Sequence, residues 1–280
     1  MLRYFLILFP LISFLGFISC ASETESGDII FENNPLKDRQ LIYSFSNEVH
    51  EIELYSRDSV LYEGFNDILI KIKDKNDKYI SYADIQWQAV ANDSSIAPIT
   101  EIVQSTDNPD VYNSFLIFPK NAFSKDWTLN VTYQIQSTTY ESNTNLSLFN
   151  PDENRITIEE RFGSNGKEYL ITLTNPYKPI NGFNNCSLML YKKQGSNYHI
   201  VKDLTILVWC SKDDYVHDEV VDLPFQSYSN RYENRIEIID LGIWQLNVVV
   251  KDKNGDIILG EEKSANQLIS SLHFPLVTNQ

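Results

Sequence analysis

No reaction announces itself in this 280-residue chain. It has no Gly-x-Ser-x-Gly elbow to expose a serine nucleophile and no His-Glu-x-x-His pair for a catalytic zinc. Cys-x-x-Cys and the Gly-rich phosphate loop are absent as well. Carboxylates are so abundant that no pair of them is diagnostic. An enzyme is therefore not expected, and neither is a cofactor. Basic residues are short: 23 Lys and Arg against 38 Asp and Glu leave a formal net charge of -15. Nucleic-acid binding depends on clustered cations that displace counterions from phosphates, so this balance excludes it. Soft metal ligands are scarce too, with 3 Cys, 2 Met and 4 His. Beyond residue 20 no apolar run approaches the ~20 residues of a membrane-spanning helix.

What is present begins at the N-terminus. Arg3 precedes an apolar run, Tyr4 to Ile18, which Pro10 interrupts and Ser19-Cys20 closes; acidic, polar chain follows. A basic start, a short apolar core and small residues at the cut are the layout of an export signal. Pro10 suits such a segment better than a stable spanning helix. The tetrad Phe17-Ile18-Ser19-Cys20 resembles the lipobox of bacterial lipoproteins, with Phe in place of the usual Leu. That resemblance implies cleavage before Cys20 and acylation of Cys20, which then tethers the protein to a membrane. Ala21, where Asp would retain a lipoprotein at the inner membrane, resembles the outer-membrane address of a diderm bacterium. Residues 1–19 are thus expected to be a signal peptide and residues 20–40 a lipid-anchored flexible tether. The rest is expected outside the cytoplasm, in the cell envelope.

The remaining chain repeats itself. Gly64-Phe65-Asn66 leads into Ile68-Leu69-Ile70, and Gly182-Phe183-Asn184 leads into Cys186-Ser187-Leu188, an offset of 118 (182 minus 64). Trp127-Thr128-Leu129-Asn130-Val131 pairs with Trp244-Gln245-Leu246-Asn247-Val248 at an offset of 117 (244 minus 127). Between them Asp84-Ile85-Gln86-Trp87 pairs with Asp203-Leu204-Thr205-Ile206, and Val111-Tyr112-Asn113 with Arg231-Tyr232-Glu233. Landmarks in one order at nearly constant offset indicate a tandem duplication. Each copy alternates apolar and polar residues, as in Trp127, Leu129, Val131 and Tyr133, or Tyr169, Ile171 and Leu173. Period two marks strands with one face buried. The expectation is an all-β chain of two tandem immunoglobulin-like β-sandwiches, residues 41–150 and 151–262, followed by a C-terminal tail, 263–280.

Gly-Phe-Asn before a strand and Trp-x-Leu-x-Val after a polar loop resemble the YtkA/FixH-like extracytoplasmic domain, over much of residues 60–135 and 180–250. The resemblance implies an immunoglobulin-like module in an envelope lipoprotein. It also implies a role in copper handling or oxidase assembly, for which relatives carry Met and His in the middle loop. Here that loop, residues 91–109, has neither.

Candidate chemistry centres on residues 209–222, which hold Cys210, His217 and several carboxylates. Cys210 and His217, completed by Cys186 and Met189, form a soft set suited to Cu(I). The competing reading is a solvated acidic loop beside a core cysteine. Cys186 and Cys210 form either a disulfide stapling the second sandwich or two buried thiols. Asp252-Lys253-Asn254-Gly255-Asp256 opens like a calcium loop, but no Glu stands at its twelfth position, so a hairpin turn is expected. Tyr228, Tyr232, Phe225 and Trp209 are expected in core or interface rather than on a carbohydrate surface. The leading functional expectation is a binding or assembly module that engages an envelope protein partner. Metal handling is the alternative.

Overall fold

The computed structural model describes residues 35–98, 100–213, 215–264 and 269–278. The expected signal peptide, Cys20 and most of the expected tether lie outside the described residues. The first half holds β1 (Gln40–Ser46), β2 (His50–Ser56), β3 (Leu61–Tyr62), β4 (Gly64–Asp74) and β5 (Ala83–Ala91). It continues with β6 (Val103–Gln104), β7 (Tyr112–Phe118), β8 (Trp127–Ile135), β9 (Thr138–Leu146) and β10 (Leu148–Phe149). The second half opens with β11 (Ile158–Phe162), β12 (Glu168–Asn175), β13 (Gly182–Gln194), β14 (Asn197–Ile200), β15 (Thr205–Lys212) and β16 (Tyr215–Val216). It closes with β17 (Val221–Leu223), β18 (Phe225–Gln226), β19 (Arg231–Ile238), β20 (Gly242–Lys251), β21 (Ile257–Leu259) and β22 (His273–Thr278).

These strands build two β-sandwiches of the immunoglobulin-like kind. In the first, the sheet β1-β2-β4-β7-β6 faces the sheet β5-β8-β9. The alternating positions read from the sequence meet between them: Ile68, Ile70 and Ile72 from β4 against Trp127, Leu129, Val131 and Tyr133 from β8. In the second, β11-β12-β13-β19-β18 faces a sheet ordered β16-β15-β20-β21, with β22 also on β20. Leu188 and Leu190 of β13 meet Val208 of β15 and Trp244, Leu246 and Val248 of β20 there. Each such buried side chain stabilises the fold by roughly 1.5–3 kcal/mol.

The repeated motifs have repeated jobs. Asn66 accepts a hydrogen bond from the Tyr62 N–H at 2.8 Å and donates to the Tyr62 carbonyl at 2.8 Å and the Gly64 carbonyl at 3.1 Å. Asn184 repeats this on Ile180 at 2.8 Å both ways and on Gly182 at 2.9 Å. The glycine two residues before each Asn has a positive φ, 87° at Gly64 and 101° at Gly182, a region that disfavours any Cβ. The Tyr112 hydroxyl accepts from the Ala83 N–H, and that of Tyr232 from the Leu204 N–H. Trp127 and Trp244 donate their indole N–H to the carbonyls of Ala122 and Asp240.

Two expectations need correction. Trp87 lies opposite Val131 on β8, and Val208 lies opposite Val248 on β20. Val208, not Ile206, is therefore the counterpart of Trp87, at an offset of 121 (208 minus 87). A slip of two residues preserves the buried face, so the pattern alone did not reveal it. The expected tail 263–280 contains β22, which pairs with β20 from Gly242 to Asn247 and buries Phe274 and Leu276 in the second core. β21 and β22 together do what β9 does alone. Tyr140 opposite Tyr133 and Leu146 opposite Trp127 correspond to Leu259 opposite Val250 and Leu276 opposite Trp244. The offset grows from 119 (259 minus 140) to 130 (276 minus 146), an 11-residue insertion that hid the strand.

A third core joins the sandwiches. Ile117 of the first packs with Ile158, Leu170, Met189 and Tyr191 of the second, and Phe65, Phe115, Tyr198 and Ile200 close around them. These residues stand on the outer faces of their sheets. Thr157 seals one margin by accepting from the Phe65 N–H at 3.1 Å, so close that a Cβ on Gly64 would lie 2.2 Å from its hydroxyl. Lys120 pairs with Glu159 at 3.0 Å, and Tyr177 donates to Asp58 at 2.9 Å.

Candidate functional site

The soft-ligand set is not brought together. Cys186 and Cys210 are free, buried thiols that project into the second core from facing sheets. Burial pushes the Cys210 thiol up to about 12, and it raises Cys186 as well, with Cys210 adding to the shift. A thiol held protonated is a poor metal ligand. Met189 lies on the opposite face of β13 from Cys186, in the core between the sandwiches, where its sulfur accepts from the Tyr191 hydroxyl at 3.8 Å. His217 stands outside: Glu237 approaches its Nε2 at 3.6 Å, and its Nδ1 accepts from the Glu219 N–H. Ser211 and Lys212 at the end of β15 pair antiparallel with Val216 and Tyr215 of β16, and the His217 N–H donates to the Cys210 carbonyl at 2.9 Å. Among the described residues no three His, Cys, Asp or Glu side chains converge as a metal site does.

The remaining candidates are structural or exposed. Asp252 accepts from the Asn254 and Asp256 N–H groups at 2.8 and 3.0 Å, closing the turn from β20 to β21. Trp209 and Tyr232 are buried, and Phe225 packs edge-to-face on Tyr232. Tyr228, at 81% exposure, is the exception.

Tyr228 stands at the mouth of a feature that the sequence reading missed. Between the sandwiches, beside the third core, is a cavity of about 480 Å³. Phe115, Met189, Tyr191, Tyr198 and Ile200 give it an aromatic and apolar part, and polar residues that include Asp67, Glu101, Asn113 and Arg231 line the rest. The Arg231 guanidinium lies 5.5 Å from the ring centroids of both Phe65 and Phe115. Its Nε is buried and has no hydrogen-bond partner. Burial lowers its pKa, with Asp67 and Glu233 acting against that, yet a guanidinium remains charged. Both carboxylates are engaged elsewhere: Asp67 with Arg39 at 2.7 Å, Glu233 with the hydroxyls of Tyr228 and Ser229. Glu101, also on the lining, is exposed at the rim. The lining hydroxyls of Thr100 and Ser114 donate to the backbone carbonyls of Phe115 and Glu101, at 2.6 and 2.8 Å, so neither faces a general base. One signal for the cavity was legible: Leu188-Met189-Leu190-Tyr191 is apolar without alternation, which marks a strand buried on both faces.

The fold and this arrangement define a protein of two tandem immunoglobulin-like sandwiches. No family model matches the sequence, and no curated protein matches it. Solved structures that match include FdeC, an Escherichia coli adhesin, at 10% identity and a TM-score of 0.26, covering 85% of this chain and 66% of that one. A DUF4785 family protein from Legionella pneumophila matches at 9% identity and 0.29, covering 83% and 58%. An I-band fragment of titin matches at 11% and 0.22, covering 69% and 56%. The chain spans less than two thirds of the length of each.

Proposed function

We propose that this chain is a lipid-anchored, non-enzymatic binding protein of the bacterial cell envelope. Its ligand occupies the cavity between the two sandwiches and presents an anionic group to Arg231. The observation that carries the reading is the guanidinium itself. Its buried Nε has no hydrogen-bond partner, and the nearby carboxylates of Asp67 and Glu233 are bonded to other groups, so one donor is left over. A buried donor left unsatisfied costs about 1–3 kcal/mol. A bound carboxylate supplies the missing acceptor. The volume and aromatic walls suit a small molecule with an apolar body. The lipobox and the resemblance to YtkA/FixH-like domains support the extracytoplasmic location.

Calorimetric titration tests the site, with 3-phenylpropionate and octanoate as anionic probes and 3-phenylpropan-1-ol as the neutral control. The acids should bind at least about tenfold more tightly than the alcohol, the difference a charge-assisted hydrogen bond confers. Arg231→Gln, with its folding checked by circular dichroism, should remove that preference. Failure of both acids to bind at millimolar concentration, or equal affinity for acid and alcohol, would overturn the assignment. The anchor is tested separately by palmitate labelling of the wild type and Cys20→Ser. Label persisting in the variant overturns it.

A further inference from the structure

The described chain begins at Pro35, and Pro35 lies on an unusual surface. Residues 35–38 form a turn that faces the loop between β12 and β13, and the two enclose an open cleft of about 690 Å³. Lys37, Arg39, Arg57 and Lys178 line it, against a single acid, Asp38. Four cations to one anion in a chain of net charge -15 is a strong local reversal. Arg39 and Arg57 share Asp67, at 2.7 and 3.4 Å, whereas Lys37 and Lys178 are exposed and enter no ion pair with any described residue.

The same surface exposes apolar side chains. Ile180 is 58% and Phe183 57% exposed, and both line the cleft. Gly182 lies opposite Ile238, so the loop after β19 leaves from this end as well, bringing Ile239 and Leu241 at 44% and 42% exposure. Arg235 covers one face of the Phe183 ring at 4.9 Å. Water alone gives no reason to gather exposed aliphatic and aromatic groups beside the exposed ammonium groups of Lys37 and Lys178. An anionic bilayer does. The rings and branched chains enter the headgroup region while the ammonium groups meet phosphate.

We propose that this end of the second sandwich, with the turn at Pro35, docks on an anionic lipid surface. Ile180 and Phe183 would sit at headgroup depth, and Lys37 and Lys178 would pair with lipid phosphates. The proposal rests on the lipid-anchored reading in one respect: 15 residues separate Cys20 from Pro35 (35 minus 20), a chain reach of at most about 50 Å. An acylated Cys20 therefore holds this face, the one the tether enters, near a bilayer, where weak contacts act at high effective concentration.

The test uses residues 21–280 without an acyl group, which retain the compact body of residues 34–280. The protein is sedimented with phosphatidylcholine vesicles, either pure or containing about 30% phosphatidylglycerol. Binding should be at least about fivefold stronger to the anionic vesicles and be lost at about 0.5 M salt, where charges beyond a few ångströms are screened. Lys37→Glu with Lys178→Glu, and separately Ile180→Ser with Phe183→Ser, should each reduce it by at least about fivefold, with melting temperature unchanged because all four side chains are exposed. No binding to anionic vesicles, or variants that bind like the wild type, would overturn the proposal. So would a wild-type dimer in sedimentation velocity that either pair abolishes, since a second copy would then own the face. Cys20→Ser labelling fails or succeeds independently, so loss of the anchor reading and loss of the docking face are separate outcomes.

Discussion

Asn184 holds Ile180 through both ends of its side-chain amide, accepting from the Ile180 N–H and donating to its carbonyl, each at 2.8 Å. One buried amide thereby fixes the entry to the central strand of the sandwich. Asn184→Ala leaves the partners on Ile180 and Gly182 without it and should cost about 2 kcal/mol. Asn184→Asp keeps the acceptor but turns an oxygen toward two carbonyls, and it should cost at least as much at neutral pH. Urea unfolding of the two variants, read as a fall in midpoint, measures this. An unchanged midpoint in both would make the clamp decorative.

Arg231→Met should change stability in the opposite direction to Arg231→Gln's effect on binding. Replacing a partly buried guanidinium whose Nε has no hydrogen-bond partner by an apolar side chain of similar length should stabilise the fold by about 1 kcal/mol while abolishing the preference for acids. Thermal melting beside the titration shows whether stability was exchanged for binding at this position.

The thiols give a sharp count. With Cys20 blocked or replaced, Cys186 and Cys210 should be unreactive toward a disulfide reagent in the native protein, because both are buried and held protonated. Two equivalents should appear on denaturation without reductant. Zero equivalents would establish a disulfide instead.

Glu160 predicts a pH dependence. Burial raises its pKa above the ordinary 4.5, outweighing the opposing effects of Lys193 and the Lys120 N–H. A carboxyl with a raised folded pKa contributes stability that is complete below its unfolded pKa and is lost as pH rises through the folded one. Glu160→Gln should therefore match the wild type at about pH 3.5 and exceed it in melting temperature at about pH 7.5. A gap independent of pH would mean that desolvation is not the cause.

Phe274 measures the worth of the strand mistaken for a tail. It is fully buried and paired through β22 with Leu246. Phe274→Ala should cost about 3–5 kcal/mol in urea unfolding, the range for a large aromatic removed from a core. A loss near zero would return residues 273–278 to the status of an appendage.

The sandwiches were legible where one face is wet. Trp127 to Tyr133 alternate because water covers their other side, and they lie in the core the alternation implied. Tyr169, Ile171 and Leu173 lie in the second core too, although Leu170 and Thr172 between them are also buried. Legibility failed where both faces are covered. Met189 was only a candidate to complete a soft metal set in the alternative reading, yet it fills the contact between sandwiches. Period two says which residues share a face, not what covers that face. Arg231 was invisible for a different reason: in sequence it sits next to Tyr232, a core landmark, and nothing in the string shows that its neighbouring carboxylates are engaged elsewhere.

The core between the sandwiches also bears on how the duplication can be undone. Cut at residue 150, the first half would bare Phe65, Phe115 and Ile117, and the second Ile158, Leu170, Met189 and Tyr191. Such strips invite aggregation, so neither half is a spare part that recombination could excise or transplant. A repeat that began as two interchangeable copies has become a single inheritance unit, and its two names for one module now describe halves of one cooperative body.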